Sequence, residues 1–299
     1  KKCKKEKKQF PFRGTAFVVA AGNETGYAHH YRGSTALGTL SHQVELNVGE
    51  STRGFSMEFW AQNTAVYTIG FRSPSGEVIE GPALRNMEAA TLSFLLEGTR
   101  ITVYSRIVSN ASGSQLIFLR FQDPFPGIWT LTITNLTDIP DSFHLWLPNR
   151  FFIPEDTYFL RPDPDTLITG PGNAHYPITV GAYDHTTGGI YIHSSRGFSR
   201  SGAIKPELAA PGVEIRGANS RSSIQTLTGT SAAAAHVAGA AAILLNWGIL
   251  KGNDPYMNSS TVKTYLIRGA SRNPALTYPN REFGYGTLNL YQAFLNLRI

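Results

Sequence analysis

The sequence has almost no cysteine. Of its 299 residues only Cys3 is a cysteine, which excludes an intramolecular disulfide and every metal site built from several cysteines. Charged residues are also scarce, at 16%, whereas 41% of the residues are hydrophobic. This balance is typical of a folded globular chain and excludes disordered and coiled-coil classes. The length allows one large domain or two of medium size.

Long hydrophobic runs are missing as well. The longest candidate, 232–250, is rich in alanine and contains His236 and Asn246. A membrane-spanning helix needs about 18 or more consecutive apolar residues, so we expect no membrane span. The lysines at the start of the chain are not followed by an apolar stretch, so a secretory signal peptide is not expected either.

The net charge of +6 is concentrated at one end of the chain. Residues 1–8 contain six lysines and Glu6, and the other 291 residues carry a net charge of only +1. A basic face for a nucleic acid needs positive charge spread over a folded surface. We therefore expect no nucleic-acid partner.

The hydrophobic pattern of the first half of the chain indicates β structure. Residues 15–24 predict a buried strand that runs into a turn at Gly22-Asn23. From about 33 to 150, period-2 alternation recurs between turn clusters, which is typical of an antiparallel sandwich or jelly roll. Its clearest segments are 92–96, 101–104, 116–121 and 129–133. Seven aromatic residues of the insertion, most of them at strand spacing, are expected in its core: Phe55, Phe59, Trp60, Tyr67, Trp129, Phe143 and Trp146.

From about residue 177 the pattern changes to α/β. A strand is predicted at 178–183 and an apolar helix at 230–247, which we expect to be buried on every side because small residues surround it. An amphipathic helix follows at 259–268, with Ser259 or Ser260 as N-cap, and a short helix near 289–297. The predicted fold class is therefore α/β: a partial parallel sheet with flanking helices, in segments 1–32 and 166–299, interrupted by an antiparallel β-rich domain and connector at 33–165.

Two short segments have the character of a catalytic site. Gly229-Thr230-Ser231 begins the apolar helix, where backbone N–H groups lack helical partners and the helix dipole favours negative charge. That environment suits a developing oxyanion, although a lone serine there is more often an N-cap. Asn23 follows the first strand in V-A-A-G-N-E, at the carboxyl end where open α/β sheets build their sites.

Two further segments lie between Asn23 and Gly229 in the sequence. They are Y-P-I-T-V-G-A at 176–182 and K-P-E-L-A-A-P-G at 205–212. Together the four segments resemble the carboxyl-terminal half of subtilisin-like serine proteases, the subtilases. Residues 278–286 and 29–31 look most like clostridial members, including spore-germination proteases, some of which carry a jelly-roll insertion. By that resemblance an extracellular or spore-associated bacterial location is expected.

The resemblance implies roles for particular residues. Ser231 corresponds to the nucleophile, and Asn23 to the side chain that binds the oxyanion together with the Ser231 backbone N–H. The substrate-binding pocket would be bordered by the strand end and by a glycine turn, with Glu24 near its mouth; these residues are Ala20, Ala21, Gly22, Gly170 and Gly172. The substrate would be a protein or peptide.

The chain departs from the family pattern in one important way. Subtilases place their catalytic Asp and His before the oxyanion Asn, but the 22 residues before Asn23 contain neither. His236 lies about 140° around the helix from Ser231 and is expected to be a core histidine. His29 and His30 are the only candidates retained. We therefore expect the Asp and His to come from an upstream half of the protease domain that lies outside these 299 residues, and the chain alone to be inactive.

No cofactor is expected to be required. The loop carboxylates Asp163 with Asp165, and Asp138 with Asp141, are candidate ligands for a structural calcium ion, although solvated turns are the more usual interpretation. Two other functions remain open at this point. The alternatives to a protease are a non-catalytic pseudoprotease that acts as a sensor or scaffold, and a binding module whose function resides in the β insertion.

Overall fold

A computed structural model describes residues 13–108, 113–137, 139–218 and 223–297. These form two compact units, one from the described residues up to Thr25 and from Asp165 onward, the other from Gly26–Pro164. The sequence placed the boundaries of the insertion at 33 and 165. The second unit begins earlier because His30–Thr35 is already a strand of its sheet.

The elements follow one another in this order. The strands are β1 (Val18–Ala20), β2 (His30–Thr35), β3 (Ser41–Val48), β4 (Gly54–Ala61), β5 (Tyr67–Arg72), β6 (Val78–Ile79), β7 (Glu88–Ser93), β8 (Arg100–Ile107), β9 (Gln115–Gln122), β10 (Gly127–Asn135), β11 (Asp141–Trp146), β12 (Tyr158–Phe159), β13 (Ile178–Tyr183), β14 (Leu208–Pro211), β15 (Ile215–Ala218) and β16 (Ile224–Leu227). The helices are α1 (Thr230–Leu245), which continues as a π-helical turn (Asn246–Leu250), α2 (Ser259–Gly269) and α3 (Leu290–Leu295).

The Gly26–Pro164 unit has two antiparallel sheets. One has five strands in the order β12-β3-β10-β5-β6, and the other has six in the order β2-β11-β4-β9-β8-β7. Alternate side chains of each strand enter a shared core, as in β10, where Trp129, Leu131 and Ile133 are fully buried. The antiparallel β insertion predicted from period-2 alternation is thus confirmed.

The aromatic residues of this unit divide between two environments. Most of those expected in the core are buried there, namely Phe55, Phe59, Tyr67, Trp129 and Phe143. Trp60 and Trp146 are only half-buried, so the prediction that all of them are core residues is wrong for these two. Their strand positions pair with polar neighbours, Trp60 opposite His144 and Trp146 opposite Glu58, on the other face of the sheet.

The other unit has an α/β core around the parallel sheet β1-β13-β14. Helix α1 packs on this sheet through buried small and branched residues such as Ala233, Val237 and Leu244. The predicted α/β class is confirmed. Strand β1, however, lies at the sheet edge and is only half-buried, whereas its sequence predicted a buried strand.

Helix α1 is not buried on every side, which corrects another prediction. Ser231, Ala235, His236, Ala238 and Ile243 are exposed, because only one side of the helix contacts the sheet. By length and composition alone Thr230–Leu250 would also suffice to cross a membrane, with 21 residues, a mean hydropathy of 1.6 and a third of its most apolar window buried. This contradicts the expectation that no segment is long and apolar enough, but it is weak evidence for a membrane span because core helices pass the same test.

Helix α2 begins at Ser259, as predicted, but its N-cap lies one residue earlier than expected. The side chain of Asn258 accepts hydrogen bonds from the N–H groups of Ser260 (3.0 Å) and Thr261 (3.2 Å). Asn258 is therefore the N-cap, and the prediction of Ser259 or Ser260 is wrong. Ser259 is instead buried, and its Oγ accepts a hydrogen bond from Phe17 N.

Candidate active site

The first turn of α1 presents one backbone N–H, that of Ser231, which is not used by the residues that the structure describes. Gly229 precedes the helix with a φ of 142°, and its own N–H donates to Gly212 O at 2.7 Å. Within the described residues, neither the N–H nor the hydroxyl of Ser231 has a hydrogen-bond partner. Ser231 is also exposed. Because the helix dipole adds positive potential at this end, the site favours a negatively charged oxygen next to Ser231.

The Asn23 side chain lies against this turn. Its Oδ1 accepts hydrogen bonds from Thr230 N (3.0 Å) and Thr230 Oγ1 (3.2 Å). The Thr230 hydroxyl in turn accepts a hydrogen bond from Gly22 N at 3.2 Å. Because both bonds occupy the amide oxygen of Asn23, Nδ2 remains available as a donor.

Gly229 makes room for that amide. A Cβ at this position would come within 3.2 Å of Asn23 Nδ2 and 3.4 Å of its Oδ1, and a φ of 142° strains any other residue. Gly229 is therefore required for the close contact between the chain that follows β1 and the beginning of α1. The structure thus brings Asn23 to the residue adjacent to Ser231.

The residues expected to border a substrate pocket also come together. Ala20 ends β1, and the Ala21 carbonyl accepts hydrogen bonds from Thr169 N (2.9 Å) and Thr169 Oγ1 (3.3 Å). Thr169 directly precedes Gly170, and its carbonyl accepts a hydrogen bond from Gly172 N at 2.7 Å. Gly22 contributes its carbonyl to Ser195 N at 2.9 Å. The strand end and the glycine turn are thereby tied to each other through Thr169.

A buried ionic network is connected by a hydrogen bond to Gly172 of the glycine turn. Glu207 Oε1 accepts from Lys205 Nζ and Lys263 Nζ, each at 2.7 Å, and Glu207 Oε2 accepts from Thr179 N at 2.7 Å. The Thr179 hydroxyl donates to Gly172 O at 2.7 Å. Burial lowers the pKa of Lys205, while the Glu207 carboxylate opposes that shift. This network connects the K-P-E segment to Gly172.

Glu24 does not lie open at a pocket mouth. Its side chain is buried, and its backbone N–H donates to Ser195 Oγ at 3.0 Å. The burial of Glu24 gives no support to a contact with substrate at the pocket mouth, and we do not propose that role.

The histidines occupy several different environments. His29 and His30 are buried in the Gly26–Pro164 unit, where His30 Nε2 lies 2.9 Å from His144 Nδ1. His236 is exposed, with Nδ1 3.1 Å from Ala232 O one helical turn back, so its prediction as a core histidine is wrong. Across the described residues, no imidazole hydrogen-bonds to Ser231.

The candidate calcium ligands already have protein partners. Asp165 Oδ2 accepts from Arg281 Nη1 at 2.9 Å, and the Asp141 carboxylate accepts from Asn63 N, Asn63 Nδ2 and Ser142 N. Asp138 lies outside the described residues. Among the residues that are described, no cluster of three or more His, Cys, Asp or Glu side chains is arranged to hold a metal ion. We propose no calcium site at these carboxylates.

Thr230 and Thr179 are residues whose importance the sequence analysis missed. Thr230 orients Asn23, and Thr179 connects Glu207 to Gly172. The only available signal was their place inside the G-T-S and Y-P-I-T-V-G-A segments. Neither segment shows by itself that its threonine bonds a partner far away in the chain.

Comparison with known proteins gives this geometry its context. Residues 163–286 match the model of the Subtilase family. The match covers less than half of the chain and shows that this segment is similar to the subtilases. It contains Ser231, Gly170 and Gly172, whereas Asn23 lies outside the matched range.

Individual relatives agree with the subtilase assignment. The chain is 36% identical over 112 residues to "Subtilisin-like protease 2" of Pseudogymnoascus destructans, covering 37% of this chain and 26% of the relative. It is 30% identical over 133 residues to "Membrane-bound transcription factor site-1 protease" of Mus musculus, covering 42% of this chain and 12% of the relative. The chain therefore spans only a minor part of these curated relatives.

A solved structure resembles almost the whole chain. The Clostridium perfringens CspB protease superposes with a TM-score of 0.86 at 29% identity, covering 96% of this chain and 60% of that one. The resemblance to subtilases, clostridial members among them, is confirmed. Because the match covers 96% of this chain, it extends over both the α/β unit and the β insertion.

Proposed function

We propose that this chain supplies the nucleophile and the oxyanion-binding groups of a serine endopeptidase. Ser231 Oγ attacks the carbonyl carbon of a peptide bond, and the negative charge that develops on the carbonyl oxygen is stabilised by the Ser231 N–H and Asn23 Nδ2. The catalytic base takes the Ser231 hydroxyl proton during the attack and gives it to the leaving amine as the peptide bond breaks. The same base then takes a proton from water, which hydrolyses the acyl-serine and returns the proton to Ser231.

One observation carries this proposal. The Asn23 amide oxygen is occupied by Thr230, and Thr230 is adjacent to Ser231. If Asn23 were only a turn residue, nothing would require its amide to be held in one orientation, with the NH2 group available beside the first turn of α1. An amide donor and a helical N–H at one end of α1 match the two donors that acyl transfer requires.

The base and its orienting carboxylate come from polypeptide outside these 299 residues. A serine without a base is a weak nucleophile at neutral pH, so the chain by itself is expected to be nearly inert. The exposed side of α1, with Ala235, Ala238 and Ile243, supports this part of the proposal, because a large exposed apolar side is typical of a surface that another segment covers.

Labelling with a serine-reactive fluorophosphonate tests the proposal. The chain alone should label slowly or not at all. Co-expression with the polypeptide encoded immediately before Lys1 should raise the rate by at least about 10²–10⁴-fold, the usual contribution of a general base. Ser231→Ala should abolish labelling. Asn23→Ala should retain some labelling but slow peptide turnover about 10²–10³-fold, as expected for loss of one oxyanion donor.

Ser260→Ala is the matched control, since Ser260 is also an exposed serine in the first turn of a helix. It should label at the rate of the unchanged protein. If the preceding sequence encodes no Asp and His pair, or if co-expression leaves the serine unreactive, the endopeptidase proposal is wrong and a pseudoprotease remains. Fast labelling of the chain alone would instead place a base within residues 1–299.

A further inference from the structure

Strand β4 has a partly open edge. It pairs with β9 from Gly54 to Trp60, but with β11 only from Glu58 to Ala61. Beyond Trp146, the chain that follows β11 no longer pairs with β4. Within the described residues, Gly54–Met57 therefore has no strand partner on that side, and the backbone groups that point there are free to bond an added strand.

A cavity occupies the space beside this edge. Its volume is about 680 Å³, which lies within the range of ligand-binding pockets. The residues Arg53–Ser56 and Arg120–Asp123 form one side of it, and Pro148 and Phe152 form the other. The cavity thus lies where a further strand beside β4 would continue.

The polar lining is dominated by two guanidinium groups. Arg53 and Arg120 are both exposed, and neither side chain has an acidic partner within 4 Å in the part of the chain that is described. Ser56 lies opposite Arg120 across the β4–β9 ladder, and Gln122 lies opposite Gly54. Asp123 is the one carboxylate in the lining, which weighs against a doubly charged phosphate group and favours singly charged carboxylates.

The accessible apolar surface of the cavity comes mainly from Phe152. Phe55 and Phe121 also line the cavity, but both residues are buried and their rings are stacked in the core, with centroids 4.6 Å apart. Phe152 is 78% exposed, which is unusual for a phenylalanine and leaves its ring available to a ligand. Its segment is held in place by a hydrogen bond from Phe152 N to Asn149 O (2.8 Å) and by the Arg150 guanidinium, 4.7 Å from the Phe151 ring centroid.

We propose that this gap, bounded by Gly54–Met57 and Phe152, binds an extended acidic peptide segment of another protein. The peptide backbone adds to the free edge of β4, two of its carboxylates bind Arg53 and Arg120, and an apolar side chain contacts Phe152. Strand addition supplies the main-chain hydrogen bonds, and the alternating side chains supply specificity. The site is built from the Gly26–Pro164 unit alone, whereas Ser231 belongs to the other unit, and peptide binding does not depend on proteolysis.

Fluorescence anisotropy tests this proposal on the full chain carrying Ser231→Ala, so that no peptide is cleaved. The probe is a fluorescein-labelled peptide of sequence EVEFEVE. We expect saturable binding that weakens with salt. Arg53→Gln and Arg120→Gln should each weaken it roughly three- to tenfold, as for loss of one partly exposed charged contact, and the double variant should weaken it by about the product.

Three controls separate the parts of the proposal. Arg72→Gln removes an equally exposed arginine from β5 of the other sheet and should leave the affinity unchanged. A peptide with lysine in place of glutamate should not bind. A peptide N-methylated at alternate residues should bind at least about tenfold more weakly, because it cannot form the strand ladder. Equal binding of the lysine peptide, equal loss in Arg72→Gln, or no binding at millimolar peptide would each overturn the proposal.

Discussion

Asn23 Oδ1 accepts a hydrogen bond from the backbone N–H of Thr230 at 3.0 Å, although the two residues are 207 positions apart. The bond joins the end of β1 to the beginning of α1. Because the same oxygen also accepts from the Thr230 hydroxyl, the amide cannot rotate by 180° without losing both bonds. The long-range contact thus fixes the direction in which Asn23 presents its NH2 group.

Thr230→Val tests whether that orientation matters for catalysis. Valine removes the hydroxyl that donates to Asn23 and accepts from Gly22, while it keeps the β-branched shape. We expect kcat of the proteolytically active assembly to fall by about tenfold or more, with little change in KM, because a misdirected oxyanion donor affects the transition state. Thr230→Ser keeps the hydroxyl and should restore kcat. A purely structural role would lower stability in both variants and leave kcat of the folded fraction unchanged.

Gly22→Ala should destabilise the α/β unit. Gly22 has a φ of 105°, and an added Cβ would lie 2.6 Å from Thr169 Cγ2 and 2.8 Å from Ser195 Oγ. Backbone strain and overpacking together should cost at least about 2 kcal/mol in urea unfolding. Gly239→Ala is the control, because Gly239 lies within α1 with open space around its Cα. It should stabilise the chain by about 0.5–1 kcal/mol, and a loss of similar size in both variants would contradict the steric argument.

Much of the architecture could be predicted from local sequence. Alternation of apolar and polar residues in 116–121 and 129–133 identified β9 and β10, because a strand at a sheet surface must place every second side chain in the core. The position of Ser231 at a helix start was also visible, since glycine and small residues surround it. Alternation and helix-start residues are local properties of the sequence. The positions of β9, β10 and the start of α1 depend on little else.

Features set by distant residues could not be predicted in this way. Small residues all around α1 indicated burial on every side, but exposure depends on what packs against each side, and only one side meets the sheet. The same reason explains His236, which lies on the open side. Thr230 became important only once the fold had brought Asn23 next to it.

Glu207→Gln should be strongly destabilising. Lys205 is only 2% exposed, and its ammonium group pairs with Glu207 at 2.7 Å. An amide at this position leaves the buried cation without a counter-charge, and its NH2 group must face either the two ammonium groups or the Thr179 N–H, all of which are donors. Breaking a buried pair by removing one partner costs about 3–5 kcal/mol, and we expect a loss of that order in chemical unfolding.

Glu282→Gln is the matched control for the buried network. Glu282 pairs with Arg196 at 3.0 Å, but both side chains are about one third exposed. Solvent screens such pairs, so the variant should lose no more than about 1 kcal/mol. Similar losses for Glu207→Gln and Glu282→Gln would show that the Lys205 environment is far wetter than its burial implies. The double variant Lys205→Met with Glu207→Gln should recover part of the stability, since it removes the orphaned charge.

Tyr67 should make the β insertion sensitive to alkaline pH. Its side chain is buried, and its hydroxyl lies 3.2 Å from Thr35 Oγ1. Burial raises the pKa of Tyr67 to about 12, and the Asp141 charge adds to this. The folded state therefore holds the phenolic proton more tightly than the unfolded state, whose tyrosine has a pKa of about 10. The stability from this group is fully present below pH 10 and is lost as the pH rises through 10 towards 12.

Tyr67→Phe tests this effect by comparison of urea unfolding at pH 8 and pH 11.5. Between these values the unchanged chain should lose about 2 kcal/mol more than the Tyr67→Phe variant, because phenylalanine has no proton to release. Tyr291→Phe, at a 75% exposed position, should match the unchanged chain at both pH values. In the absorbance at 295 nm, the difference between the unchanged chain and Tyr67→Phe should titrate near pH 12. A difference that titrates near pH 10 would mean that Tyr67 is solvated, and the alkaline loss of stability would then have to come from other groups.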